Sequence, residues 1–335
     1  MNTVWPLPRV TFRELTTVSE SRPVALLTSK TVWATVGSQL NLPIAIQAEP
    51  PSVTHNYLET MARGLPANVE VVYGVGGGRA MDAAKYIGWY NHKPVVLIPT
   101  ALPGDVMLTW VSRVREDGCV TDVETGVAQE CVIDWDVIRA APPYLRSGGL
   151  VDVLSIVTGL LDWRFAAERG KNSADMRFVP WAAGIAAAIA QQAFRIAEGV
   201  GRGEVESLKL LLDFLALEVQ LCNQLGHARP EEGSEHYFGY AIENYMPRRT
   251  PHSDMVGPGI LFAAALHGQD TAPLRTALEA GGLRLDRLNP QVVQNVVHTL
   301  PEYVQNHNLP YGILNELDPA SDKTQRALKS AGLAE

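Results

Sequence analysis

The sequence predicts an α/β domain built on a doubly wound parallel sheet, followed by an all-helical domain. Three observations carry this reading. Short β-branched runs alternate with helical patterns over the first half of the chain. A run of glycines, Gly76-Gly77-Gly78, lies between one of those runs and the helical pattern after it. From Leu150 onward the strand texture stops and apolar residues recur at spacings of three and four. The change falls at Ser147-Gly148-Gly149, which divides the chain into 1–148 and 149–335.

Each element follows from local pattern. VALLTS (Val24 to Ser29), PIAIQAE (43–49), VEVVYGVG (69–76), KPVVLIPT (93–100) and ECVIDW (130–135) are near-continuous apolar runs, as expected of strands covered on both faces. Between them, VTHNYLETMARGL (53–65) and GRAMDAAKYIGWY (78–90) have helical spacing. The second half opens with LVDVLSIVTGLLDWRFAAER (150–169), the Ala-rich WAAGIAAAIAQQAFRIAEG (181–199) and EVESLKLLLDFLALEVQLCNQL (204–225). Further helices are expected at Ser234 to Tyr245, Asp254 to His267, Pro290 to Tyr303 and Asp322 to Ala331.

Composition narrows the function classes. At about 150 residues per domain, 335 residues argue for two domains. Lys+Arg 28 against Asp+Glu 36 gives a net charge of −8, a poor match for nucleic acid or an anionic membrane surface, so neither is expected as a partner. With 46% hydrophobic and 19% charged residues the chain can build a large core. Its longest apolar stretches, Trp181 to Ala190 and Gly257 to Ala265, run about ten residues, against roughly 20 for a membrane-spanning helix. No membrane insertion is expected. The opening MNTVWPLPRVTFRELTT lacks a basic segment followed by an apolar one. Cys119, Cys131 and Cys222 form no CxxC pair and read as reduced core thiols, which points to a cytoplasmic setting.

Several motifs could carry chemistry. In VVYGVGGGRAMDAAKYIG, the absence of Cβ atoms at Gly74, Gly76, Gly77 and Gly78 lets a pyrophosphate approach the backbone at a helix N-terminus. Arg79 stands where the third glycine of the common dinucleotide fingerprint would be, and a plain tight turn explains the glycines equally well. Asp82 and Lys85 form an i, i+3 pair on that helix, with a ligand contact or a structural role both open. The next strand ends in IPTALPGD, bringing Thr100, Leu102 and Asp105 to the same sheet edge, with Thr100 able to hydrogen-bond a nucleotide and Asp105 able to face a reacting centre.

In the helical half, Asp152, His236 and His252 each stand at a helix start, with Ser234 as an N-cap before His236. A carboxylate and two imidazoles from three separate elements suit a divalent metal with open positions for substrate and water. Favourable interaction with a helix dipole is the alternative for Asp152. Arg248 and Arg249, in the loop between the histidines, could clamp a substrate phosphate or lie solvated.

Taken in order, GVGGGRAMDAAK (74–85), IPTALPGD (98–105), CVIDWDVIRAAP (131–142), SGGLVDVLS with Asp152, LDW (161–163), GSEH (233–236) and the His252 segment resemble the superfamily of iron-containing alcohol dehydrogenases, glycerol dehydrogenase and dehydroquinate synthase. The nearest branch is that of glycerol-1-phosphate dehydrogenases, to which the LDW element is similar. The resemblance implies a dinucleotide-binding domain over 1–148 and a metal and substrate domain over 149–335. It implies a dinucleotide over Gly76, Gly77 and Gly78 near Thr100, with Ser29, Asp82, Leu102 and Thr109 counted among the nucleotide-side positions. It also implies Asp105 close to the substrate, and a catalytic metal on Asp152, His236 and His252. Zinc comes first, and the same donors suit iron or nickel. Relatives of this kind are often homo-oligomers.

The implied reaction is NAD- or NADP-linked interconversion of a small polyol or polyol phosphate and its ketone, foremost sn-glycerol 1-phosphate and dihydroxyacetone phosphate. Departures from the pattern bear on the substrate: Leu102-Pro103-Gly104-Asp105-Val106 replaces Ser-Asn-Asp-Gly, Thr109 replaces a serine, and Ser253-Asp254 replaces Gly-Glu. The first strand ends in Thr28-Ser29-Lys30 where relatives carry Thr-Asp, an ending that allows NADP and leans toward it. A sugar-phosphate cyclase resembling dehydroquinate synthase is the alternative, although VMLTWVSRV (106–114) lacks the lysine those enzymes carry. A non-catalytic nucleotide-binding relative is the third reading.

Overall fold

The computed structural model describes residues 4–248 and 250–334. The chain divides into two compact units, Trp5–Arg146 and Ser147–Glu335. Each is built as follows.

In the first unit the strands are β1 (Arg9–Phe12), β2 (Val24–Thr28), β3 (Ile44–Ala48), β4 (Val71–Gly76), β5 (Val95–Pro99), β6 (Val111–Glu116), β7 (Cys119–Glu124) and β8 (Glu130–Ile133). Helices α1 (Lys30–Val36), α2 (His55–Arg63), α3 (Gly78–Tyr90), α4 (Trp135–Ala140) and α5 (Pro143–Arg146) accompany them. Six strands form one sheet in the order β1-β8-β5-β4-β2-β3, with every neighbouring pair parallel. Strands β2, β4, β5 and β8 are buried along their whole length, which accounts for their unbroken apolar sequences. One face packs Leu26, Tyr73, Val75, Val96, Ile98 and Val132 into a single core.

Two features of this unit go beyond the five strands read from sequence. The edge strand β1 is short and partly exposed, so it lacks a buried strand's apolar signature. The β6–β7 hairpin pairs antiparallel outside the main sheet, joined by Asp117 and Gly118, whose φ values of 50° and 77° are those of a tight primed turn.

The second unit contains α6 (Leu150–Glu168), α7 (Pro180–Arg202), α8 (Val205–Leu225), α9 (Ser234–Glu243), α10 (Ser253–Leu266), α11 (Ala272–Ala280), α12 (Pro290–Asn306) and α13 (Asp322–Ser330), with a 3₁₀ turn at Ile313–Glu316. Helix α6 is buried nearly all round, and α9 and α10 pack directly against each other. Among the described residues no helix is long and apolar enough to cross a membrane.

Ser234 is not the N-cap of α9: Gly233 holds that position and Ser234 is the first helical residue. The Asp162 carboxylate of α6 accepts the Ser234 N–H at 2.7 Å, which supplies from another helix the acceptor that a capping side chain would otherwise provide.

Candidate metal centre and nucleotide site

The arrangement of the second unit begins with the polar residues of α6. Along an otherwise apolar helix, Asp152, Ser155, Gly159 and Asp162 follow one another at steps of three, four and three, and so share one face. That face runs beside the segment leading into α9. Ser155 Oγ donates to the Glu231 carbonyl at 2.6 Å. A Cβ on Gly159 would lie 3.0 Å from the Pro230 carbonyl, so only glycine lets the segment pass this close. Asp162 then takes the Ser234 N–H. The same carboxylate accepts the Ile313 N–H at 2.8 Å and faces His267 Nε2 at 2.8 Å. Burial works against its charge, and the His267 ring with these donors overcomes it, leaving the carboxyl below its ordinary range.

This fastening sets His236 on the first turn of α9, opposite Asp152 on the first turn of α6. His252 completes the group at the N-cap of α10. His236 Nε2 lies 3.8 Å, and His252 Nε2 3.3 Å, from Asp152 Oδ1, and one donor atom from each of the three residues falls within 4.8 Å of the others. The rings of the two histidines are 5.2 Å apart. Donors on a tetrahedral ion with bonds of about 2.1 Å stand roughly 3.4 Å apart, so the spacing fits a divalent cation. His252 Nε2, buried at the atom, makes no hydrogen bond. Asp152 and His236 are buried while the His252 side chain is 29% exposed, which leaves one side of the group open.

Glu235 was not singled out in the sequence. Its carboxylate is fully buried, accepts the Gly233 N–H at 2.6 Å and faces His236 Nδ1 at 3.0 Å. A carboxylate on Nδ1 holds a proton there, which makes Nε2 the nitrogen whose lone pair is available to a metal once it is deprotonated. Burial opposes a charge on His236, but the carboxylates of Asp152 and Glu235 prevail and push its pKa up to about 10. Burial likewise opposes the charge of Asp152, and His236 and His252 pull it below its ordinary range. Two anions and two imidazoles converging in a buried space are the electrostatic setting that a cation satisfies.

Asp254, after His252, points elsewhere. Its carboxylate is gripped by the Arg284 guanidinium through Nε at 3.2 Å and through a second, shorter contact. Arg248 is exposed, and Arg249 lies outside the described residues.

In the first unit the glycine turn closes between β4 and α3. Gly76 has φ of 134°, a conformation that disfavours any side chain. Gly77 caps α3 and Gly78 opens it, and a Cβ at either would meet nothing within 4 Å. Their lack of side chains is therefore not a packing requirement, and the space over the 13-residue helix start is open. Thr100 N–H donates to the Gly76 carbonyl at 3.1 Å, which places Thr100 beside the turn. Ser29 caps α1, its Oγ accepting the Val32 N–H at 3.2 Å. Leu102 is wholly buried.

Asp82 and Thr109 are engaged inside the protein. Asp82 Oδ1 accepts the Arg113 N–H at 3.0 Å. Thr109 Oγ1 accepts from Lys85 Nζ at 3.0 Å, and that ammonium also donates to the carbonyls of Val106, at 2.8 Å, and Val111. Burial drives the Lys85 pKa down and the Asp82 pKa up, each partly countered by the other's charge. The loop after β5 is thus anchored to α3 through one buried ammonium. Asp105 sits in this loop, buried, with its two oxygens 3.2 and 3.3 Å from the guanidinium of Arg113, a partner not identified from sequence.

Comparison with known proteins follows this geometry. A family model described as iron-containing alcohol dehydrogenase matches residues 11–142. Glycerol-1-phosphate dehydrogenase (NAD(P)+) of Methanothrix thermoacetophila is 28% identical over 233 residues, 70% of this chain and 65% of that protein. The enzyme of the same name from Sulfurisphaera tokodaii is 29% identical over 229 residues, 68% of this chain and 63% of that protein. Over residues 11–142 the chain resembles the iron-containing alcohol dehydrogenases. Its matched part spans just under two thirds of the length of those curated relatives. Glycerol dehydrogenase of Schizosaccharomyces pombe has a similar fold, with a TM-score of 0.68 at 16% identity, over 99% of this chain and 93% of that structure.

Proposed function

We propose that this protein is a metal-dependent, NAD(P)-linked oxidoreductase that interconverts sn-glycerol 1-phosphate and dihydroxyacetone phosphate. The observation that carries the reading is the convergence of Asp152, His236 and His252 from three helix starts, with donor atoms at metal-ligand spacing. The names of the curated relatives support the substrate and the cofactor. Free cysteines, two of them buried, support a cytoplasmic setting.

Asp152, His236 and His252 would hold the ion, with zinc foremost among the metals this donor set suits. Bound there, a divalent metal acts as a Lewis acid toward the substrate's alcohol or carbonyl oxygen. The chain's own residues prepare that chemistry. Glu235 keeps the His236 Nδ1 proton in place, so that Nε2 would be the nitrogen to give up its proton and face the metal. The open backbone at Gly77 and Gly78 presents the α3 N-terminus to a pyrophosphate. Arg113 fixes the orientation of the Asp105 carboxylate through two contacts, and the reading gives Asp105 the task of accepting a substrate hydroxyl. Bound at the glycine turn, a nicotinamide cofactor would supply the hydride donor or acceptor for the substrate's carbinol carbon.

The test is oxidation of reduced nicotinamide cofactor by dihydroxyacetone phosphate, on protein stripped of metal and reloaded with zinc, nickel or iron, with unphosphorylated dihydroxyacetone run beside it. Metal-dependent turnover of the phosphate ester, abolished in His252→Ala, is the expected result. No turnover of either ketone by any reloaded form would overturn the assignment.

A further inference from the structure

In a doubly wound sheet, the adenosine ribose lies at the carboxyl end of the strand adjoining the one that carries the glycine turn. A carboxylate at that end hydrogen-bonds the 2′-hydroxyl and repels a 2′-phosphate. Here the glycine turn follows β4, which lies between β5 and β2; β5 leads into the Thr100–Asp105 loop assigned to the substrate side, which leaves the end of β2 for the adenosine ribose. Strand β2 ends in Thr28-Ser29 with no acid, and Ser29 Oγ is already occupied as the cap of α1. Read linearly, nothing here selects against NADP.

The fold brings a carboxylate to this place from the next strand over. Glu49, immediately past β3, reaches across to the start of α1, where its Oε2 accepts the Lys30 N–H at 3.1 Å. Two contacts tie this location to the glycine turn. The Val32 side chain lies 3.5 Å from the point a Cβ on Gly76 would occupy. Arg79 Nη1, on the first turn of α3, reaches the Pro51 carbonyl, two residues beyond Glu49, at 3.5 Å. The end of β3, the start of α1 and the start of α3 therefore form one rim around Gly76, Gly77 and Gly78.

We propose that Glu49 is the cofactor-selecting residue of this protein, hydrogen-bonding the adenosine ribose diol and favouring NAD over NADP. This rests on the dinucleotide-binding reading given above. The opposing charges on the rim are Lys30, which is exposed, and Arg79, which stands on the first turn of α3. Arg79 reaches the same rim at the Pro51 carbonyl, where a guanidinium attracts a 2′-phosphate, so it opposes Glu49 in the selection. Glu49 is the carboxylate fixed beside the position of the 2′ group.

The experiment is equilibrium binding of NADH and of NADPH to the full chain, followed by nucleotide fluorescence and needing no turnover. Wild type, Glu49→Gln and Lys30→Ala are compared, with thermal melts to establish that each is folded. Wild type is expected to bind NADH at least about tenfold more tightly than NADPH. Glu49→Gln is expected to weaken NADH, strengthen NADPH and bring the ratio toward one, and Lys30→Ala to widen it. Equal affinities in wild type, or an unchanged ratio in folded Glu49→Gln, would overturn the role of Glu49 while leaving nucleotide binding intact. Binding of neither nucleotide by folded wild type would remove the dinucleotide reading itself.

Discussion

The Asp162 carboxylate accepts the backbone N–H of Ser234 at 2.7 Å, two residues ahead of His236. Asp162 is thus a buried anchor for the segment that carries His236, one of the three candidate metal ligands. Replacing it with Ala strips the acceptor from the N–H groups of Ser234 and Ile313 and leaves the His267 ring without its carboxylate. The expected loss of stability is about 3–5 kcal/mol, as for breaking a buried charged network, measured by urea unfolding of metal-free protein.

Glu235→Gln removes the negative charge facing His236 Nδ1 while keeping the side chain's size. Metal affinity is expected to fall about 10–100-fold, read by competition with a chromophoric chelator. The melting temperature of the metal-free protein serves as the control for folding.

Gly259→Ala tests how closely α9 and α10 must pack. A Cβ there would fall 2.5 Å from the Glu235 carbonyl, a backbone atom that can move only with its helix. The substitution is expected to destabilise by about 1–3 kcal/mol, as overpacking does. It should also weaken metal binding, because His236 travels with α9.

Lys85→Met tests the internal anchor of the loop after β5. It leaves the carbonyls of Val106 and Val111 and the Thr109 hydroxyl without their common donor, and Asp82 without its nearest cation. A loss of about 3 kcal/mol or more is expected in urea unfolding. Faster amide exchange confined to residues 106–111 would show that the loop has been released.

His227 supplies a pH dependence remote from the metal group. Burial, assisted by Arg229, lowers its pKa from 6.5 to about 4. The folded state holds the ring neutral, so its contribution is fully present above 6.5 and is lost as pH falls through 4. Melting temperature is expected to drop across that window, followed by fluorescence of Trp163, whose ring lies edge-on to His227 at 5.4 Å. His227→Gln should flatten this part of the profile.

The alternation of strands and helices was legible because strands buried on both faces leave unbroken apolar runs, as in β2, β4, β5 and β8. Strand β1 left no such trace, since an edge strand exposes half its residues. The Asp117-Gly118 turn was a readable hairpin signal that the surrounding polar residues obscured. Asp152, His236 and His252 were accessible through their residue types and positions at helix starts. Glu235, Asp162 and Arg113 were not, because their roles depend on side-chain geometry toward neighbours from one to 151 residues away, the farthest being Ile313 from Asp162. The three-four-three spacing of Asp152, Ser155, Gly159 and Asp162 on α6 was nonetheless present in the sequence as a polar line on an apolar helix.

That polar line has a thermodynamic consequence. With one helix holding both Asp152 and the loop that sets His236, the entropy of gathering these ligands is lost when the domain folds, not when an ion arrives. On the proposed metal reading, ion capture would be left to desolvation of the cation and displacement of a proton from His236. Chelation would then yield a folded protein ready to accept a different metal, in contrast to small zinc domains that unravel when their ion is taken away.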